Sequence, residues 1–111
     1  MTQLDTEAEA RAFVRATLND NFGIHEQFHD DEAVTLDALG VDSLDIQELL
    51  MTVEEDCQDL LDEHRIPVNH FHVKGEVNTA TTIGTLIAAT AASMNTVIEQ
   101  QSQQEDARRR A

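Results

Sequence analysis

The sequence predicts an all-α fold, a bundle of three to four helices. Three segments have apolar residues at the three- and four-residue spacing of an amphipathic helix: residues 6–19, 43–64 and 82–98. The length of 111 residues suits one domain with one hydrophobic core. The single cysteine, Cys57, has no internal partner for a disulfide, so helix packing must supply the stability.

The first helix is predicted over residues 6–19, where good helix formers surround an apolar stripe. This stripe consists of Ala10, Phe13, Val14, Thr17 and Leu18. Residues 21–40 are predicted to form a long loop, because they include Gly23, several polar residues and only scattered apolar ones. Loops of this length in a compact domain usually have a function, so we expect this one to do more than connect two helices.

The second helix is predicted to begin at Ser43. Asp42 is suited to cap it and Asp45 lies in its first turn, where carboxylates stabilise the positive end of the helix dipole. The helix should run to about residue 64 and end before Pro67, because the residue before a proline disfavours helical geometry. At about 100° per residue, one arc of the helix is apolar and is predicted to face the core: Ile46, Leu49, Leu50, Val53, Cys57, Leu60 and Leu61.

The opposite face of the second helix mixes apolar and acidic residues. Leu44 and Met51 lie seven residues apart and share this face with Glu48, Glu55 and Asp62. Exposed apolar side chains among carboxylates are typical of a docking surface, where the acids steer a basic partner. The alternative is that Leu44 and Met51 contact the preceding loop and that the carboxylates are merely solvated.

The second half of the chain is less regular in sequence. Residues 68–78 are predicted to be an irregular connection, with room for a short helix. The last helix is predicted to begin near Thr82. After residue 98 the sequence is polar all round, so we expect a domain at residues 1–98 and a disordered tail at residues 99–111.

The charge distribution points to a protein partner. The chain has 22 acidic and 7 basic residues, a net charge of −15, and no lysine or arginine between Arg15 and Arg65. Such a charge repels nucleic-acid phosphates and anionic membranes and attracts basic protein patches. No apolar run approaches the ~20 residues that span a bilayer, and the first residues lack signal- and transit-peptide features. We therefore expect a cytoplasmic monomer without nucleic-acid binding or membrane insertion.

The histidines and the cysteine do not predict a metal site or a catalytic centre. His70 and His72 lie two residues apart in the connection, and with His64 and Cys57 they match no zinc-ligand spacing. Cys57 belongs to the apolar arc of the second helix, so its thiol is expected to be buried and inert. We therefore expect neither a bound metal nor catalysis by this chain.

Ser43 is the candidate site of modification. Backbone N–H groups without intrahelical partners lie in the first turn of a helix, and they favour a phosphodiester attached there. The surrounding string, LDALGVDSLD at residues 36–45, is followed by ELLM and by Glu54 and Glu55. It closely resembles the phosphopantetheine attachment site of acyl carrier proteins, and TIGTL at residues 82–86 resembles the opening of that family's final helix.

The resemblance implies an acyl-carrier-like bundle with a covalent cofactor. Ser43 would bear a 4′-phosphopantetheine arm, which a phosphopantetheinyl transferase takes from coenzyme A using magnesium, and Asp42 would help to engage that transferase. The thiol of the arm would hold an acyl group as a thioester in fatty-acid, polyketide or related biosynthesis. Acyl ligases, synthases and acyltransferases with basic patches would dock on a face comprising Leu44, Asp45, Gln47, Glu48, Met51, Glu54 and Glu55.

The sequence also departs from the family pattern. Gln47 stands where many relatives have an aliphatic residue, Cys57 stands where a core aromatic is common, and residues 57–78 are longer than the usual link. These differences favour a specialised pathway with a dedicated partner. Two alternatives stay open: an unmodified carrier-like adaptor that only binds proteins, and a carrier of an aminoacyl group, which would have the same residues.

Overall fold

The computed structural model describes residues 4–66 and 68–110 of the chain. They form three α-helices: α1 (Thr6–Asp20), α2 (Ser43–Glu63) and α3 (Ile83–Arg110). Within these ranges there is no β-strand, and Thr35 and Thr82 form an isolated antiparallel bridge. The all-α class predicted from the sequence is confirmed, with three α-helices.

Local signals at the helix ends place α1 and α2 where the sequence predicts them. The carboxylate of Asp5 caps α1 by accepting a hydrogen bond of 3.0 Å from an amide in the first turn. The end of α2 is a Schellman motif, in which the amide of Ile66 donates to the carbonyl of Leu61 at 2.8 Å. Arg65 takes the left-handed position of this motif, with φ of 60°. Pro67, which the sequence analysis used as the stop signal, lies outside the described residues.

The hydrophobic core lies among the three helices, and α1 packs against both α2 and α3. The predicted apolar arc of α2 supplies five buried side chains, those of Ile46, Leu49, Val53, Cys57 and Leu61. Leu50 and Leu60, at the edges of the arc, are half-buried. The buried apolar residues of the other two helices are Ala10, Val14 and Leu18 of α1 and Ile83, Leu86, Ile87, Ala91 and Met94 of α3.

Two single-turn 3₁₀-helices, Glu26–Phe28 and Asp37–Leu39, lie in the connection between α1 and α2. Leu36 and Val41 flank the second one and are 0% and 2% exposed, so they anchor the end of the connection in the core. Phe28, in the first one, is 56% exposed.

The connection between α2 and α3 contains an irregular segment, residues 68–77, which we call the strap. The strap forms no helix. The predicted irregular connection is therefore present, and the short helix that the sequence allowed there is not. Phe71 is 3% exposed and packs with the core cluster. Gly75 has φ of 109°, which interrupts any helical run in this part of the strap.

Helix α3 is longer than the sequence analysis predicted. It begins at Ile83, where the side chain of Thr82 accepts a hydrogen bond of 3.1 Å from the amide of Thr85. It continues to Arg110, whereas a disordered tail was predicted from residue 99. Residues 99–110 are rich in Gln, Glu and Arg, which extend an existing helix readily even without an apolar face. No helix in the described ranges is both long and apolar enough to cross a membrane.

Candidate functional site

A fixed turn leads the chain into the start of α2. Gly40 has φ of 83°, a left-handed conformation that glycine adopts without steric cost. Its amide donates to the carbonyl of Asp37 at 3.0 Å, and the amide of Val41 donates to the carbonyl of Leu36 at 3.1 Å. The turn therefore redirects the backbone between a buried leucine and a buried valine, and Asp42 and Ser43 follow immediately.

The same turn is fastened to the start of α3. Four backbone hydrogen bonds join residues 32–37 to residues 79–84: Leu36 N to Thr81 O (2.9 Å), Asp37 N to Thr79 O (2.9 Å), Ile83 N to Val34 O (3.0 Å) and Gly84 N to Glu32 O (2.8 Å). At Gly84, a Cβ atom would lie 3.2 Å from the carbonyl oxygen of Glu32, so a side chain would press on this contact. The segment that precedes Ser43 is thus held in place by hydrogen bonds to residues at the start of α3.

Two arginines of α1 hold the first half of the connection. Arg11 pairs with Glu32, with 2.5 Å between Nε and Oε2, and this hydrogen bond holds the pKa of the Glu32 carboxyl below its usual range. Arg15 pairs with Glu26 at 3.1 Å and also with Asp30. These ion pairs use both arginines of α1. Among the side chains that the structure describes, no lysine or arginine pairs with a carboxylate of α2.

Asp42 and Ser43 form the first positions of α2. The carboxylate of Asp42 accepts from the amide of Asp45 at 2.8 Å, and the carboxylate of Asp45 accepts from the amide of Asp42 at 3.3 Å, which is a capping box. Ser43 is the first residue of the helix and is exposed. Its hydroxyl makes no hydrogen bond to the described part of the chain. The amides of Ser43 and Leu44 lack intrahelical acceptors by the geometry of a helix start.

The predicted docking face of α2 is largely exposed. Leu44 is 74% and Met51 is 62% exposed, so the preceding loop leaves most of both side chains uncovered. The exposed polar members of the face are Gln47, Glu48 and Glu55. Asp45 is half-buried because its carboxylate is part of the capping box. Two large apolar side chains are therefore exposed to water here, and burying them against a partner would be favourable in free energy.

Glu54 differs from the rest of this predicted face. Its side chain is 19% exposed, and its Oε2 accepts a hydrogen bond of 2.9 Å from the amide of Val73 in the strap. The same oxygen lies 3.7 Å from Nδ1 of His72. This role of Glu54 could not be predicted from the sequence, because the contact joins residues 19 positions apart.

Cys57 and the histidines occupy separate places. Cys57 is fully buried, as predicted, and burial raises the pKa of its thiol to about 12. His70 and His72 stack in the strap, with 6.2 Å between ring centroids.

His29 is buried, with 1% of its surface exposed. Its Nδ1 accepts a hydrogen bond from Nε of Arg15 at 3.4 Å, and its Nε2 has no partner in the described residues. No group of three or more His, Cys, Asp or Glu side chains in the described ranges is arranged to hold a metal ion.

The start of α2 combines an exposed serine with an exposed helix face. An exposed hydroxyl stands at the positive end of α2, after a turn that the core and α3 hold in place. Beside it runs a helix face with two exposed apolar side chains and several carboxylates. Comparison with known proteins adds no relative: no family model, no curated protein and no solved structure matches the chain.

Proposed function

We propose that this protein is an acyl carrier protein, which holds acyl groups as thioesters on a 4′-phosphopantetheine arm attached to Ser43. The observation that carries the proposal is the placement of Ser43. Its exposed side chain occupies the first position of α2, inside the string LDALGVDSLD that resembles the family's attachment site. The chain would serve fatty-acid, polyketide or related biosynthesis in the cytoplasm.

The surroundings of Ser43 suit an attached phosphodiester. The amides at the start of α2 and the helix dipole stabilise negative charge near the hydroxyl. The capping box directs the Asp42 carboxylate at the amide of Asp45, which leaves the first two amides of the helix for the phosphate. No side chain in the described ranges bonds the Ser43 hydroxyl, so a transferase can reach it without first breaking a hydrogen bond.

The docking face supplies the partner recognition that a carrier needs. Leu44 and Met51 offer apolar contact area next to the attachment site, and Gln47, Glu48 and Glu55 are exposed along the same helix. Asp45 is engaged in the capping box and acts chiefly on the helix. The carboxylates would steer phosphopantetheinyl transferase and the acyl ligases, synthases and acyltransferases through their basic patches.

In this proposal the chain itself catalyses no step. The partner enzymes form and break the bonds, and the carrier presents the arm and its cargo. The thiol of Cys57 is buried, and its pKa is raised to about 12, so it stays protonated at neutral pH. The thiol of the arm would therefore be the reactive thiol of the protein. An acyl chain would be sheltered by a slight separation of the helices.

A transfer assay with a fluorescent coenzyme A analogue tests the proposal. The chain is incubated with magnesium and a broad-specificity phosphopantetheinyl transferase and is then separated by gel electrophoresis. We expect fluorescence on the wild type and on Ser102→Ala, which alters an exposed serine of α3, and none on Ser43→Ala. Equal labelling of Ser43→Ala would place the modification elsewhere, and labelling of none of the three would favour the adaptor alternative.

A further inference from the structure

The connection between α1 and α2 forms a pocket of about 250 Å³ at the surface of the protein. Six residues line this pocket: Gly23, Ile24, His25, Phe28, Ala38 and Leu39. None of the six is an aspartate, glutamate, lysine or arginine, although the chain has a net charge of −15. The lining is thus largely apolar, and it includes an exposed aromatic side chain, that of Phe28, which lies outside the docking face of α2.

The first wall of the pocket follows directly from the end of α1. The amide of Ile24 donates to the carbonyl of Leu18 at 3.0 Å, and Gly23 takes the left-handed position before it, with φ of 64°. This arrangement is a Schellman motif, which fixes the direction of the chain as it leaves the helix. The rings of His25 and Phe28 then meet edge to face, with 6.5 Å between their centroids. Backbone hydrogen bonds and an aromatic pair therefore hold this wall.

The second wall belongs to the 3₁₀-helix that leads to Ser43. Ala38 and Leu39 lie in this helix and line the pocket. The amide of Leu39 donates to the carbonyl of Leu36 at 3.1 Å, and Leu36 is buried in the core. Both walls are thus fixed by the fold, so the pocket exists without any separation of the helices.

A group attached to Ser43 can reach this pocket. Leu39 precedes Ser43 by four residues, so their Cα atoms are at most about 15 Å apart, at roughly 3.8 Å per residue. The phosphopantetheine arm has about fourteen bonds and spans about 16 Å when extended, if three bonds cover roughly 3.4 Å as in a polypeptide. An acyl chain continues beyond the thiol of the arm. Because a tethered group has an effective concentration in the millimolar range, even a shallow pocket can hold it.

We propose that this pocket holds the end of the acyl group on the arm, and that the group is an unsubstituted aliphatic chain of about eight carbons. The inference rests on the proposed function, since it names the class of cargo. An apolar cavity of about 150 Å³ holds benzene, so a surface pocket of about 250 Å³ suits a chain of this size.

The chemistry of the lining selects this occupant. Contact with Phe28, which is exposed, and with Ile24 and Leu39, which are half-buried, removes apolar surface from water. A basic side chain of a partner would find no carboxylate in the lining, whereas the carboxylates of α2 attract such a group to the docking face. The pocket therefore favours a neutral apolar chain that is already tethered nearby.

Chemical attachment of an alkyl chain tests the pocket without any transferase. Ser43→Cys places a reactive thiol at the start of α2, because Cys57 is buried. The thiol of this full-length variant is alkylated with iodoacetamide reagents, which have a spacer as long as the arm and end in an octyl or a methyl group. We expect the octyl adduct, compared with the methyl adduct, to shift the amide NMR signals of Ile24, Phe28 and Leu39.

The wall at Phe28 offers a matched pair of variants. In the Ser43→Cys background, we expect Phe28→Ala to reduce the octyl-dependent shift at Leu39 at least twofold. Met51→Ala alters an exposed apolar residue outside the pocket and should leave that shift unchanged. Reagents that end in butyl, octyl and dodecyl test the size of the cargo, and the shift should grow from butyl to octyl and no further with dodecyl.

Three results would overturn the pocket as the cargo site. Octyl-dependent shifts confined to Val53 and Leu86, which are buried in the bundle, would place the chain among the helices. Identical spectra of the octyl and methyl adducts would leave the chain in solvent. Equal shifts in Phe28→Ala and Met51→Ala would remove the role of the aromatic wall. Because the attachment is chemical, none of these results depends on whether Ser43 accepts phosphopantetheine.

Discussion

Asp42 and Asp45 cap each other at the start of α2. Each carboxylate accepts a hydrogen bond from the backbone amide of the other residue, at 2.8 Å and 3.3 Å. The pair fixes the first turn of the helix, on which Ser43 is the first residue. The geometry of the proposed attachment site therefore depends on two carboxylates whose local role is structural.

Loss of this cap should destabilise the protein. We expect Asp42→Ala to lower the free energy of unfolding by about 0.5 to 2 kcal/mol, because the amide of Asp45 loses its acceptor. Asp42→Asn keeps a side-chain oxygen at the cap and should lose less stability. Urea denaturation of the two variants checks the difference, and equal losses would show that the charge, more than the hydrogen bond, matters at this position.

The end of α2 offers a stabilising substitution. Arg65 is a non-glycine residue in the left-handed conformation, with φ of 60°. We expect Arg65→Gly to raise the free energy of unfolding by up to about 1 kcal/mol, because glycine takes this conformation without a Cβ penalty. Arg65→Ala is the matched control, since it removes the side chain and keeps the Cβ. Thermal unfolding that places both variants at or below the wild type would contradict the expected gain.

Much of the fold follows from local patterns in the sequence. The cap at Asp42, the start of α2 at Ser43 and the burial of Cys57 follow from spacing of three and four residues and from helix-end chemistry. The exposure of Leu44 and Met51 follows from their position opposite the apolar arc. These features were predictable because each depends on residues within two or three turns of one helix.

The remaining features depend on contacts between distant segments. Glu54 lies about 100° from Glu55 around α2 and borders the apolar arc. That its carboxylate accepts from the amide of Val73 depends on where the strap lies. The burial of His29 against Arg15 likewise depends on how the connection folds over α1. The continuation of α3 to Arg110 was missed because a polar segment without an apolar face was read as a tail, although its residues are good helix formers.

The two exposed apolar residues of α2 should matter for docking and not for folding. We expect Leu44→Ala and Met51→Ala to leave the free energy of unfolding within about 0.5 kcal/mol of the wild type, as surface substitutions usually do. Leu49→Ala, a fully buried position on the same helix, should lower the free energy of unfolding by about 2 to 5 kcal/mol.

The effect of Leu44→Ala and Met51→Ala on docking can be measured in the phosphopantetheinyl transferase reaction. Its kcat/KM should fall by about fivefold for Leu44→Ala or Met51→Ala, the equivalent of about 1 kcal/mol of contact energy. Unchanged kcat/KM in both variants would show that this face does not engage the transferase.

The acidic character of the face predicts a dependence on salt. We expect Glu48→Lys to weaken docking to the transferase and Glu99→Lys, an exposed change on α3, to have a smaller effect. Added salt should reduce the difference, because the Debye length is only about 8 Å at physiological ionic strength. Steady-state kinetics over a range of sodium chloride concentrations measure this, and a KM independent of salt would argue against electrostatic steering.

The Cys57 thiol predicts a loss of stability at alkaline pH. Burial raises its pKa from 9.0 to about 12, so the unfolded chain loses this proton at lower pH than the folded chain does. The resulting stability is fully present below pH 9 and declines as the pH rises toward about 12. Cys57→Ala should remove this contribution to the alkaline dependence in urea denaturation between pH 8 and pH 11. A decline of equal size in both proteins would assign it to other groups.

The intact mass of the protein tests the central claim most directly. Mass spectrometry is performed before and after incubation with coenzyme A, magnesium and a broad-specificity phosphopantetheinyl transferase, on the wild type and on Ser43→Ala. The account predicts a gain of one phosphopantetheine in the wild type and no gain in Ser43→Ala. No gain in wild-type protein that was unmodified at the start would contradict the carrier function and would favour the unmodified adaptor.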